Sequence, residues 1–260
     1  MSPQSNPIQS CSLVLNNCGS QHAMMHWQED LLNLLLKPHE SPETIFGHIQ
    51  HAALQLGFDH VAYGFQAPYP LTQPKITLLN NYPHAWQTRY AQAGYLFTDP
   101  SVARGRQSQT PMVWSDALFA DNPSLWADAQ DHGIRAGWAQ SSLEPNRAGS
   151  LLTLCRSTQG LSALELQAKQ NAMRWLVQVA HVSLSRAIVQ ATPTLPCALT
   201  CRERETLQWS ADGKSAQDIA DIMKVGKSTV DFHLKNAIVK LQAANKTAAV
   251  ARAALMGLLY

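Results

Sequence analysis

"KSTVDFHLKNAIVKL", residues 227–241, carries two patterns at once. Val230, Leu234, Ala237, Ile238 and Leu241 recur at the spacing of one apolar helix face, the stripe by which a helix docks on a core. At about 100° per residue, Asp231, Phe232, Lys235, Val239 and Gln242 fall on the other side. An acid, a large aromatic and a lysine side by side on a solvent face ask for a partner outside the domain.

The flanking segments say which kind of partner. In "LTCRERETLQWSADGKS", Thr200 and Glu203 have capping-box spacing, and Gly213 is a helix stop. Ser215 and Asp218 repeat the start signal for "AQDIADIM", and the tight turn "KVGK" leads into the opening stretch. A short helix, a turn with glycine and a second helix with a patterned outer face define a helix-turn-helix candidate, the alternative being an ordinary small helical bundle whose lysines merely solvate it. Ile219, Ala220, Ile222, Met223 and Val225 are expected to pack against the Val230–Leu241 stripe. That packing offers Asp231, Phe232 and Lys235 to a major groove, with Ser228 and Thr229 at the helix start and Gly226 or Ser228 as its cap. Lys214, Lys224, Lys227, Lys240 and Lys246 are placed around the rim for phosphates. "NKTAAVARAALMGLL" supplies a fourth helix, whose small residues Ala248, Ala249, Ala251, Ala253 and Ala254 permit close approach of another helix. Charge agrees. Residues 191–260 hold nine Lys/Arg against six Asp/Glu, while residues 1–190 carry a net −1.

The remaining chain reads as α+β. "QATPTLPCALT" (190–200) has two prolines and no charge, as a short stiff linker would. The expected divisions are a poorly structured segment at 1–22, an α+β domain at 23–190, a linker at 191–198 and an all-α four-helix domain at 199–260. In the first domain, "MMHWQEDLLNLLLK" and "SPETIFGHIQHAALQLG" are amphipathic, the second capped by Ser41 with Pro42 at its first position. "DHVAYGFQA" and "KITLLNN" read as strands, a helix starts at Pro83, Trp114 closes a short strand, and residues 137–158 form a hairpin. A long helix runs from Ser162 to about Val189. Helices flanking a consecutive antiparallel sheet make an α-β-α sandwich.

Several functions find no support in these residues. Five cysteines lack the paired spacing of a structural metal site, and His48 and His51, one turn apart, read as surface or packed residues. The odd cysteine count fits reduced thiols in a cytoplasm. The first residues lack a basic start and apolar block, and "LLNLLL" is too short to span a bilayer, so no membrane association is expected. No nucleophile motif of the G-x-S-x-G kind occurs, so an enzyme is not expected.

"YPHAWQTRYAQAGYLFTDPSVARGRQSQTPMVW" holds a second cluster. Tyr82, Trp86 and Tyr90 are four apart, along one helix face. Tyr82 and Trp86 have donors that need partners when buried. Asp99, followed by Pro100, sits among apolar residues, where an unpaired carboxylate is expensive. An amide-bearing ligand satisfies all three.

Residues 199–242 closely resemble the DNA-binding domain of LuxR-type regulators: Glu203, Leu207, Gly213, Ile219, Ala220, Thr229, Val230 and Leu241 fall at its motif positions. Trp86, Tyr90, Asp99, Pro100, Trp114 and the block "HGIRAGW" (132–138) match that family's sensor domain. The resemblance implies an N-acyl-homoserine lactone as ligand and no cofactor. It implies that Trp86 donates to the lactone carbonyl, Asp99 accepts the amide N–H, Tyr82 donates to the amide carbonyl, and Tyr90 and Trp114 form aromatic walls. It also implies a homodimer on double-stranded promoter DNA that activates transcription with RNA polymerase. The alternative is a regulator that needs no ligand or takes a different one. Asp231 departs from the family, which often has a basic residue there; an acid accepts from cytosine N4 instead. Strand alternation adds Ser157, on the same face as Thr153 and Cys155, as a hydroxyl offered to the ligand.

Overall fold

The structure is a computed structural model describing residues 26–33, 35, 40–191 and 198–259. The segment expected to be unstructured (1–22) and most of the linker (191–198) lie outside the described residues. Contacts divide the chain into two compact units. One holds the described residues up to Gly64 with Leu78–Ser142 and Ser150–Ala191; the other holds Phe65–Thr77, Leu143–Gly149 and the described residues from 198 on.

In the first unit, α1 (residues 26–33) precedes α2 (Pro42–Gln55), which starts where Ser41 Oγ accepts from Thr44 N and Pro42 fixes the first turn. Ile45, Ile49 and Ala52 line its buried face. Five strands follow: β1 (His60–Gln66), β2 (Ile76–Asn80), β3 (Met112–Val113), β4 (Ala136–Leu143) and β5 (Gly149–Arg156). They pair in the order β2-β1-β5-β4-β3. Between β2 and β4 lie α3 (His84–Gln92), a 3-10 turn at Tyr95–Phe97, α4 (Pro100–Gly105) and α5 (Pro123–Asp131). The long α6 (Ala163–Ala191) ends the unit and packs on α2.

Which side of the sheet meets α6 follows from strand period two. Gln178 donates to Ser142, Ser150 bonds His181, and Arg156 makes a two-pronged contact with Glu165 at 2.8 Å per arm. Lys169 joins through Glu165 (2.8 Å) and the Leu56 carbonyl (2.7 Å), so one carboxylate ties β5, α6 and the end of α2 together. Trp138, Leu152 and Leu154 fill the space between.

On the other side, Trp114 N donates to Gly137 O, extending the β3–β4 register Met112↔Ala139 and Val113↔Trp138. The Trp114 ring lies on Gly137 so closely that a Cβ there would overlap it.

The second unit's helical part is α7 (Cys201–Ala211), α8 (Ala216–Met223), α9 (Lys227–Lys240) and α10 (Lys246–Leu255). Both anticipated capping boxes form, Thr200–Glu203 and Ser215–Asp218, and Gly213 adopts φ 82° at the α7–α8 turn. Leu207, Ile219, Ala220, Met223, Val230, Leu234, Ala237, Leu241, Ala249 and Ala253 make the core. Ile222 does not join it: it is exposed on the outer side of α8. Ala249 and Ala253, two of the alanines expected to meet another helix, are spent on this core.

Two outcomes are expected. The Arg156 guanidinium, against the opposing effect of burial and helped by Lys169, lowers the Glu165 carboxyl to about 2. A depressed folded-state value means that this stabilisation is present above the ordinary glutamate range and is lost as pH falls toward about 2. Glu165→Gln should therefore cost about 2 kcal/mol at neutral pH, with the difference from the parent vanishing in acid, as read by urea unfolding across pH. Gly137→Ala should expel the Trp114 ring and cost at least about 2 kcal/mol by the same measurement; parent-like stability would show that the ring is not seated there.

Candidate ligand site and nucleic-acid interface

Asp99 sits at the head of α4. It is the N-cap, with Pro100 at the first helical position, and its Oδ1 accepts from Ser101 N (2.8 Å) and Ser101 Oγ (2.6 Å). Its Oδ2 accepts from Tyr90 Oη at 2.9 Å. The carboxylate is buried but not unpaired: its own helix turn and Tyr90 already satisfy most of it, alongside whatever a ligand supplies. Three of about four acceptor positions are filled by the protein, leaving one.

Tyr82 precedes α3 rather than lying on it, held where its N–H donates to Asn80 Oδ1. Its hydroxyl end is enclosed beside Cys155, Tyr90 and Asp99. Burial first, then the neighbouring thiol and acidic groups, pushes Tyr82 well above the usual tyrosine range. Burial and the Asp99 carboxylate do the same to Tyr90. Both hydroxyls stay protonated donors at any physiological pH. Burial also raises the Cys155 thiol, to about 12, so it acts as a neutral small group.

Aromatic rings enclose this polar set. Trp86 is buried, edge-on to Tyr90 (5.6 Å between centroids) and stacked on Tyr95 (6.1 Å). Trp114 meets Phe119 and Trp126 at right angles, and those two stack at 4.8 Å. Trp126 Nε1 donates to Asp116 at 2.7 Å, whereas the buried Trp114 Nε1 has no hydrogen-bond partner among the described residues. An unpaired buried donor costs on the order of 1–3 kcal/mol.

Five of the six expected ligand residues thus meet in one aromatic cluster or bond directly to it. Ser157 does not. It falls one residue beyond β5, is exposed, and donates both N and Oγ to Asp59 at 3.0 Å. The alternation argument holds for Cys155 but fails at the strand's end, where the chain turns off the sheet. Ser101, Tyr95, Phe119 and Trp126 were not anticipated. The Asp-Pro-Ser run at 99–101 already carried a cap signature, but nothing local marks Phe119 or Trp126.

In the helical domain, α9 presents Lys227, Ser228, Thr229, Asp231, Phe232 and Lys235 to solvent, with Phe232 59% exposed beside an exposed Val239. Gly226 caps α9 without any side-chain bond, so the first-turn N–H groups and Lys227 form one positive end, favourable for a phosphate. Lys224 closes α8 in the left-handed region (φ 53°) and, like Lys214, is exposed. Lys240 and Lys246 are corrections. Lys240 pairs with buried Glu203 at 2.7 Å, and Lys246 donates to the Lys214 carbonyl at 3.1 Å, so both serve the fold. Among the described residues no group of three or more metal-ligating side chains occurs, and no helix is long and apolar enough to cross a membrane.

Comparison with known proteins matches this arrangement in both halves. The autoinducer binding domain family covers residues 41–184, and the luxR family of bacterial regulatory proteins covers 197–253. The transcriptional activator AnoR of Acinetobacter nosocomialis is 41% identical over 239 residues, 91% of this chain and all of that one. The crystal structure of Escherichia coli SdiA superposes with a TM-score of 0.79 at 32% identity, covering 91% of this chain and 99% of that chain. SdiA in complex with octanoyl-rac-glycerol gives 0.77 at 33%, covering 91% and 96%. CepR2 of Burkholderia cenocepacia, an N-acylhomoserine-lactone-dependent transcription factor, gives 0.59 at 29%, covering 65% of this chain and 98% of that chain. The chain belongs to the luxR family of bacterial regulatory proteins, as a quorum-sensing transcriptional regulator with an autoinducer-binding domain ahead of its helix-turn-helix.

Proposed function

We propose that the autoinducer is an N-acyl-homoserine lactone and that its amide is read by Asp99 and Tyr82. The single observation behind this is the enclosed polar set: a carboxylate with one acceptor position left beside a tyrosine held protonated. An amide offers one donor and one acceptor, and these two groups take one each. Trp86 donates to the lactone carbonyl, and Tyr90 holds Asp99 while forming a wall. Trp114 forms the wall opposite, with its indole N–H available to a further acceptor. Ser157, bonded to Asp59, is not among the ligand contacts.

The protein acts as a homodimer in the cytoplasm, where its DNA target lies, and has no catalytic role of its own. Ligand binding shifts the dimer toward an arrangement in which two α9 helices meet successive major grooves, from which RNA polymerase is engaged. The shift can be no larger than the ligand's affinity difference between the two arrangements. On DNA, Asp231, Phe232 and Lys235 face bases, while Lys214, Lys224, Lys227, Ser228 and Thr229 hold phosphates. The partly exposed Ala251 and Ala254 of α10 remain available for pairing two helical domains. A second reading, a regulator answering an acyl ligand without the amide, draws support from the SdiA complex with octanoyl-rac-glycerol.

Two measurements test this. Asp99→Ala should remove lactone binding in calorimetric titration while costing about 1 kcal/mol of stability from the lost cap; unchanged lactone affinity would refute the carboxylate's role. Lys235→Ala should weaken operator binding by about 1–3 kcal/mol and hardly affect random DNA. Equal losses on both would make Lys235 a phosphate contact.

A further inference from the structure

Among the described residues three aromatic rings lie against the Trp86 indole: Tyr90 edge-on at 5.6 Å between centroids, Tyr95 stacked at 6.1 Å and His132 tilted at 5.5 Å. Such a ring is set in place by its packing and by whatever holds its polar atom. Tyr90 is held by Asp99. The other two are held by one residue to which the ligand reading gives no role. Asp128, toward the end of α5, accepts from Tyr95 Oη through its carboxylate, and its backbone carbonyl accepts from His132 Nδ1 at 2.6 Å.

The same carboxylate accepts from Arg89 Nε at 2.6 Å. Arg89 lies on α3, three residues after Trp86, so Asp128 ties the helix that carries the indole as well as two rings beside it. That helix has little else to fix it. Pro83 opens α3 with no side-chain cap bond, and of its nine residues only Trp86 is buried. In contrast, α5 starts at Asn122, whose side chain accepts from Leu125 N, and it buries Leu125, Trp126 and Ala129. The anchored helix carries the acceptor and the loosely held one carries the indole. Tyr95 and then Arg89, by hydrogen bonding, hold the Asp128 carboxyl below its usual range, so the acceptor is ionised. Arg89 is about half exposed, so its ion pair contributes little, and the directional bond to Tyr95 is the stronger constraint on ring position.

We propose that Asp128 is a positioning residue for ligand recognition: by fixing Tyr95 and His132 it orients the Trp86 indole N–H toward the lactone carbonyl. The proposal rests on the lactone reading above, in which Trp86 makes that bond. A hydrogen bond weakens steeply as it departs from linearity. An indole free to tilt therefore loses the ring carbonyl, while the amide stays bonded at Asp99 and Tyr82. Removing Asp128 costs discrimination rather than general affinity.

The test compares two compounds by calorimetric titration of the full chain. One is an N-acyl-homoserine lactone; the other is the matching N-(tetrahydrofuran-3-yl) amide, which keeps the ring and the amide but has no ring carbonyl. Butanoyl, octanoyl and dodecanoyl tails are used, and the ratio of Kd values is taken at the tail that binds tightest. The parent should favour the lactone about tenfold, the worth of one well-aligned hydrogen bond. In Asp128→Ala and in Tyr95→Phe the preference should fall to about twofold or less, with the carbonyl-free compound bound about as tightly as by the parent. Asp128→Asn keeps an acceptor for Tyr95 and should retain most of the preference. Glu165→Gln, on the other side of the sheet, should lower stability and leave the ratio unmoved.

A parent-like ratio in either Asp128→Ala or Tyr95→Phe, or equal weakening of both compounds in them, overturns the assignment and leaves the lactone reading standing. A loss in Asp128→Asn as complete as in Asp128→Ala assigns the effect to the charge facing Arg89 and overturns the ring-fixing role. A parent that binds both compounds equally overturns the Trp86 donation and this proposal with it, and a parent that binds neither overturns the lactone reading as well.

Discussion

The Asp99 carboxylate does two jobs with one group. It caps α4 through Ser101 and fixes Tyr90 at the wall of the aromatic cluster, so the helical layer over the sheet is anchored at the polar set proposed to read the amide. Because those bonds already offset the cost of burying the charge, the site is built before anything enters it. What remains is one acceptor position, a protonated Tyr82 hydroxyl and an unpaired Trp114 indole N–H. Pre-formed polar groups discriminate by what a guest leaves unsatisfied, which is the basis on which an amide is proposed over a plain acyl chain.

The helical domain has its own constraint. Glu203 closes the α7 cap and pairs with Lys240 near the end of α9, so the helix that faces DNA is registered against the helix that begins the domain. Burial opposes ionisation of that carboxyl, yet the Lys240 ammonium and the Thr200 N–H hold it below its ordinary range. Positioning α9 this way leaves the exposed Asp231, Phe232 and Lys235 free of structural duty.

Much of this was legible in the sequence wherever the signal is local. Ser41-Pro42, the two capping boxes and Gly213 fix helix starts and stops by short-range hydrogen bonds, and each appears where its spacing requires. The strands and the 137–158 hairpin follow from alternation, and the sheet is antiparallel with flanking helices, but the order β2-β1-β5-β4-β3 sets β1 beside β5, so the strands are not in the consecutive order expected. What could not be read was long-range. Lys240 looks like any rim lysine until Glu203 is brought beside it, and Ser157 looks like an inner-face hydroxyl until Asp59 claims it. Phe119 and Trp126 enter the cluster only because a loop and α5 fold over Trp114. Asp99 was correctly singled out for its burial, but its partners are its own helix turn and Tyr90.

The central claim is that a guest's amide carbonyl and N–H are bonded by Tyr82 and Asp99. Isotope-edited infrared spectroscopy of a lactone labelled at the amide carbonyl tests it most directly, with the full chain compared against Tyr82→Phe. The account predicts a band displaced to lower frequency than in water when the lactone is bound to the parent, and a smaller displacement in the variant. A bound band identical in the two proteins would contradict it.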